Sequence, residues 1–160
     1  MARAFVALGS NLCDPRAQVL RGLAALASLP NTTFTARSRL YRSAPWGIVE
    51  QPEFVNAVAE LNTALEPREL LDALLVIERG AGRERGGERW GPRVLDLDLL
   101  LYGDRESHQP GLTLPHPHLH ERAFVLLPLN DLAPDLHVPG RGRVRELLDH
   151  VATSGCAVMD

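Results

Sequence analysis

The stretch RWGPRVLDLDLLLYG, Arg89 to Gly103, sets two aspartates, Asp96 and Asp98, inside an otherwise apolar run. The run reads as a strand, and residues two apart on a strand share a face, with Cα atoms about 6.5–7 Å apart. Leu95, Leu97, Leu99 and Leu101 then take the opposite, core face. An unpaired buried carboxylate is costly, and two side by side repel unless a cation lies between them. A divalent magnesium, or a pair of ions about 3.5–4 Å apart, satisfies both. A solvated sheet face with incidental acids is the reading that the pair alone leaves open.

Arginines weigh against that bland reading. Arg83, Arg85, Arg89 and Arg93 stand just upstream in a glycine-rich loop, and Arg79 to Arg93 holds five Arg against Glu84 and Glu88. Metal-binding carboxylates beside guanidiniums suit phosphoryl transfer, in which cations neutralise the transferring group. A repetitive RNA-tracking tract is the alternative, but this one stops at a Trp-Gly-Pro turn and runs into the acidic strand. No GxxxxGK[ST] is present and no GxGxxG follows a strand, so a bound nucleotide would use another scaffold.

Other candidates are softer. His116, His118 and His120 alternate in PHPHLHERAF; without a Cys or Glu at ligand spacing, a histidine beside a phosphate tail or in solvent fits better than zinc. Arg122 could serve the same anion. Phe54 and Asn56 share one face of their strand, and Phe124 and the tryptophans add aromatic surface. Rings with one amide suit a flat heterocycle having donor and acceptor edges; each Phe taken alone reads as packing.

These residues need a frame. A chain of 160 residues fits one domain, 1–160. Its 45% hydrophobic and 23% charged content is that of a folded protein, and a net charge of −3 gives no global field to recruit nucleic acid or membrane. All 17 basic residues are Arg, so anions must be met by guanidinium forks. Cys13 and Cys156 form no metal or redox spacing and read as free thiols of a cytoplasmic protein. No signal peptide is legible, and no apolar run approaches the roughly 18 residues of a membrane span.

A short strand, Ala4 to Leu8, ends in a Gly-Ser-Asn turn. Asp14 then Pro15 opens a helix to about Leu29. Thr33 to Tyr41 alternates as one strand, and Arg42 to Glu53 is a Pro- and Gly-rich loop. Phe54 to Asn62 is a strand with Val55, Ala57, Ala59 and Leu61 inward, Pro67 opens a second helix ending near Gly80, and Arg93 to Gly103 is the fourth strand. This order, βαββαβ, is the ferredoxin-like α+β pattern, an antiparallel sheet with helices on one face. The C-terminal segment, about 104–160, must cover the other face or extend the sheet. Glu121 to Pro134 and Arg143 to Ala152 read as its helices.

Taken in order, ALGSNL, SAPWG with QPEFVNAV, GRERGGERWGPRVLDLDLLLYG and LPHPHLHERAFVLLPL resemble the 6-hydroxymethyl-7,8-dihydropterin pyrophosphokinase family. The resemblance runs from about Ala4 to Val138. It implies a ferredoxin-like fold and transfer of the pyrophosphoryl group of ATP to the pterin's hydroxymethyl oxygen in folate biosynthesis. It implies that Asp96 and Asp98 hold two Mg²⁺ ions, with Asp96 also near the pterin, and that Arg83 and Arg93 stabilise charge during transfer. By the same resemblance Glu78, Arg83, Arg85, Trp90, Arg93, Thr113, His116 and Arg122 contact ATP. The pterin stacks between Phe54 and Phe124, bonds Asn56, and is closed in by Ser43, Pro45, Trp46, Gly47 and Trp90. Gly111, Pro117 and His120 depart from residues some members carry. ATP and the pterin are then the partners of a monomer that binds neither nucleic acid nor membrane. An RNA-binding module of the same fold and a metal-dependent phosphohydrolase are the rival readings.

Overall fold

The computed structural model describes residues 1–44, 52–82 and 94–159. Strand β1 (Ala2–Ser10) leads to helix α1 (Pro15–Ala27), then β2 (Thr32–Arg37), β3 (Tyr41–Ser43) and β4 (Phe54–Thr63). Helix α2 (Pro67–Gly80) precedes β5 (Asp96–Tyr102). The hairpin β6 (Ser107–Gln109) and β7 (Leu112–Leu114), a 3₁₀ turn (Leu119–Glu121) and α3 (Ala123–Leu132) follow. The two-residue strands β8 (His137–Val138) and β9 (Gly142–Arg143), α4 (Val144–Leu148) and β10 (Cys156–Val158) complete the order.

The main sheet runs β10-β3-β4-β1-β5, with β2 also on β4, and every pairing is antiparallel. β4 therefore splits the β1–α1–β2 unit, and β1 splits the β4–α2–β5 unit, as the βαββαβ order requires. The expected ferredoxin-like α+β core is present.

Local chemistry sets the helix ends. The Asp14 side chain accepts from the Ala17 amide at 3.4 Å, with Pro15 beginning α1. At α2, Glu66 and Glu69 form a reciprocal capping box spanning Pro67, the Glu66 amide donating to Glu69 at 2.9 Å. Val19, Leu23 and Leu26 of α1 and Leu70 and Leu74 of α2 are at most 5% exposed. They pack on Ala4, Val6, Leu8, Ala57, Ala59 and Leu97. Gly22 allows α1 to approach closely: a Cβ there would lie 2.9 Å from Leu8 Cδ2.

The tail does both things expected of it. α3 and α4 seal a second core of Phe5, Val58, Leu100 and Leu101 with Val125, Leu126, Leu129 and Val144. β10 extends the sheet beside β3.

Three local expectations are corrected. The single strand Thr33–Tyr41 is two strands. At the break the Ser38 amide donates to Val58 O, while the Val58 amide donates to Ser38 Oγ, both at 2.9 Å. A hydroxyl has replaced a ladder carbonyl, and the chain turns out of register. Leu101 does not share a face with Leu97 and Leu99. The register of β1 on β5 shifts between Phe5 and Val6, so Phe5 faces Leu101 and Val6 faces Leu99. Leu100 is the extra residue of this bulge, and Leu101 joins the second core. The second tail helix is only Val144–Leu148, not a run to Ala152.

Candidate active site

Four strands carry one row of side chains on the tail-side face. Tyr41 on β3 is paired with Asn56 on β4, Asn56 with Gly9 on β1, and Gly9 with Asp96 on β5. The rows on either side of it hold Ser43 opposite Phe54 in one direction, and Asp98 opposite Ala7 and Ala7 opposite Val58 in the other. Adjacent strands lie about 4.8 Å apart, so Asn56 and Asp96 are about 10 Å apart, separated by one glycine. A Cβ at Gly9 would stand 3.2 Å from Asn56 Oδ1. The glycine leaves flat floor between an amide and a carboxylate pair. Sequence reasoning took Gly9 as the start of a turn; a glycine within a strand was the available signal of close approach.

Asn56 and Ser43 are 5% and 3% exposed, and Asn56 Nδ2 donates to Ser43 Oγ at 2.6 Å. That bond fixes which way the amide faces. Asp96 is half-buried and Asp98 exposed on the same face, as alternation predicts.

Two cavities adjoin these rows. One, of about 210 Å³, is lined by Asp98, Thr113, His116 and Gly111 with Leu71, Leu97 and Pro117. It runs beside β5, which among the described residues has no further strand on its outer side. Glu78, near the end of α2 and 3% exposed, accepts from the Leu97 amide at 2.7 Å and so holds that outer edge. The other cavity, about 660 Å³, is bounded by Ser43, Arg122, Phe124 and His120 and, from the tail, by His150, Ala152 and Cys156. The tail wall has no counterpart in the sequence reading, because only the pairing of β10 with β3 brings it there.

Arg122 lines the larger cavity and acts on His116, which lines the smaller. Its guanidinium lies 5.6 Å from the Phe124 ring centroid. It also helps hold the His116 imidazole, about 4 against an ordinary 6.5, although burial is the larger cause and His118 adds to both. His116 is therefore neutral near pH 7. Its Nδ1 accepts from the His118 amide at 3.2 Å, which leaves the proton on Nε2 as a donor. His118 and His120 pair instead with Glu121, at 3.6 and 3.4 Å. Among the described residues no cluster of three His, Cys, Asp or Glu is arranged to hold a metal.

The described residues thus bring together Asp98, Thr113 and His116 at one cavity and Ser43, Arg122 and Phe124 at the other, with Phe54, Asn56 and Asp96 on the floor between. Pro45, Trp46, Gly47, Arg83, Arg85, Trp90 and Arg93 lie outside the described residues.

The family described as 7,8-dihydro-6-hydroxymethylpterin-pyrophosphokinase (HPPK) matches residues 5–134. A 2-amino-4-hydroxy-6-hydroxymethyldihydropteridine pyrophosphokinase of Pseudomonas aeruginosa is 53% identical over 146 residues, covering 91% of this chain and 90% of its own. One from Haemophilus influenzae is 45% identical, covering 95% and 94%. Among solved structures, Plasmodium falciparum HPPK-DHPS with pteroate superposes with a TM-score of 0.71 at 15% identity, a likeness of fold. The match covers 92% of this chain but 42% of that longer one. With a family match across most of its length and relatives of near-equal length, the chain belongs to the 7,8-dihydro-6-hydroxymethylpterin-pyrophosphokinase family.

Proposed function

We propose that the two cavities are the two halves of one bisubstrate site. ATP lies along β5 against Thr113 and His116, and the pterin lies between Ser43 and Phe124 over Asn56. The family's reaction moves the pyrophosphoryl group of ATP to the hydroxymethyl oxygen of 6-hydroxymethyl-7,8-dihydropterin, giving AMP and the pterin diphosphate in folate biosynthesis. The observation that carries the assignment to these residues is the Asn56–Gly9–Asp96 row, which sets an amide, a bare floor and a carboxylate in line.

Attack must be in line at the β-phosphorus with AMP leaving, so positioning and electrostatics dominate. Asn56, its amide turned by Ser43, reads the heterocycle's polar edge, and Phe54 and Phe124 hold its faces. Neutral His116 donates from Nε2 toward a phosphate oxygen. Arg122, in the larger cavity and acting on His116 of the smaller, neutralises charge on the transferring group. Arg83, Arg85 and Arg93 are proposed to do so from the glycine-rich loop, with Trp46, Gly47 and Trp90 closing over the ligands. Glu78 supports β5 through the Leu97 amide and is proposed to contact the nucleotide. Asp98 accepts the hydroxyl proton.

Two magnesium ions suit the aspartates. Magnesium keeps waters and takes one or two carboxylates plus phosphate oxygens, rather than a cage made of protein alone. Asp96 and Asp98 offer two carboxylates on one face, with cavity volume beside Asp98 for the phosphates. When bound, the metal would neutralise phosphate charge and lower the pKa of the attacking hydroxyl. A cytoplasmic monomer of one domain is proposed with it; the large apolar side chains exposed among the described residues are Met1 before β1, Val76 on α2 and Val158 on β10.

The test is AMP release from ATP that requires the pterin. ATP hydrolysis without pterin would favour a phosphohydrolase, and salt-sensitive RNA binding without AMP would favour the binding module.

A further inference from the structure

Helix α3 carries Phe124 and Asp131 seven residues apart. Two turns, about 10 Å along the axis, separate them on nearly the same helix face. Phe124 lines the larger cavity with Ser43. Asp131, at the other end, is gripped by the segment that opens β3. Its carboxylate accepts from the Arg39 amide (3.2 Å), Arg39 Nε (3.2 Å), Arg39 Nη2 (2.9 Å) and the Tyr41 hydroxyl (2.9 Å). Arg39 Nη2 also donates to Tyr41 Oη at 3.1 Å, and the guanidinium lies 5.7 Å from the Tyr41 ring centroid. Tyr41 is 2% exposed. Burial and the Asp131 carboxylate push its hydroxyl up to about 12, which keeps it a donor.

So many directed bonds are not needed to keep α3 on the sheet. Val125, Leu126, Leu129 and Ala133 are at most 6% exposed and do that. Apolar burial is non-directional and tolerates a small slide or roll of the helix. A bidentate fork joined by a backbone amide and a phenol fixes both distance and angle. The other end of this linkage is the site itself. Tyr41 pairs with Asn56, and Ser43, two residues on, pairs with Phe54 and receives the Asn56 amide.

We infer that Arg39, Tyr41 and Asp131 are positioning residues for the pterin: their clamp sets the gap between Phe124 on α3 and the Phe54–Asn56 floor on β4. The inference rests on the proposed assignment of Phe124 and Asn56 to that substrate, through which the clamp acts.

The experiment compares Tyr41→Phe, which keeps the ring, Asp131→Asn, which keeps the shape, and Phe124→Ala, with KM for each substrate, kcat and thermal midpoint measured for all. For the two clamp variants KM for the pterin should rise about five- to tenfold, the size of one net hydrogen bond. kcat and KM for ATP should stay within about twofold, and the double variant should add little to the larger single effect because the groups act as a unit. A lowered midpoint with unchanged pterin KM in both clamp variants would overturn the inference and leave a merely structural clamp. Unchanged pterin KM in Phe124→Ala would overturn the pterin assignment and the inference with it. A raised KM there but in neither clamp variant overturns the inference alone.

Discussion

Leu97 and Leu99 on one side of β5 are at most 5% exposed and pack under the helices, whereas on the other side Asp96 is half-buried and Asp98 exposed. The same contrast extends across the sheet. The helix-side face is sealed by α1 and α2 with regular alternation. The tail-side face is packed by α3 and α4 over Phe5, Val58 and Leu101, and carries the polar residues Ser43, Asn56, Asp96 and Asp98 with Gly9 among them. At the start of β5 stability and chemistry are thus divided by face, the leucines serving the core and the aspartates the site. A variant of one face should leave the other's property intact.

The sharpest way to break that division is Asp98→Ala. It should lower pterin-dependent AMP release at least 10²–10³-fold, the usual loss when a group stabilising developing charge is removed. The thermal midpoint should hold within a few degrees, since the side chain is exposed. A near-normal rate would remove the carboxylate from the site. The converse is Leu26→Ala under the helix-side face. Leu26 is 0% exposed, and its truncation should cost about 2–5 kcal/mol in denaturant unfolding with kcat of the folded fraction unchanged.

His116 tests the border between the two roles. Its imidazole sits near 4 when folded against an ordinary 6.5, so the unfolded chain takes up the proton first as pH falls. The stabilisation is complete above about pH 6.5 and lost on the way down to about 4. Between pH 7 and pH 5 this group alone should cost about 2 kcal/mol. Urea titrations at the two pH values should show a correspondingly smaller loss in His116→Asn; equal losses would mean that the imidazole is not held neutral. The smallest effect belongs to Gly9→Ala. A methyl 3.2 Å from Asn56 Oδ1 should raise KM for the pterin about tenfold, roughly 1.4 kcal/mol, with little change in midpoint.

Much of this was legible because it is local. Strand alternation told which face Asp96 and Asp98 share, and Asp14-Pro15 and Pro67 marked helix starts, since caps and periodicity are decided within a few residues. The element order was enough for the interleaved sheet. Three features were not legible, and each depends on residues far apart in the chain. The break at Ser38 requires the Val58 backbone as its partner. The bulge that turns Leu101 over requires the register of β1 on β5. The grip on Asp131 requires α3 to cross β3, ninety-odd residues earlier. Spacing within a segment carries no trace of such partners.

The interleaving of β1 has a consequence in time. Gly9 needs Asn56 on one side and Asp96 on the other, so its row cannot close until the chain has reached β5. At about 5–20 residues per second, a ribosome takes several seconds to cover that distance. Until α3 follows, Phe5 and Val58 lack their cover, and a growing chain presents an apolar sheet face to its neighbours. Pairings of such long sequence separation also form slowly once the parts exist. The period of greatest risk for aggregation is therefore the synthesis of β5 through α3, when the sheet can exist but its second layer cannot.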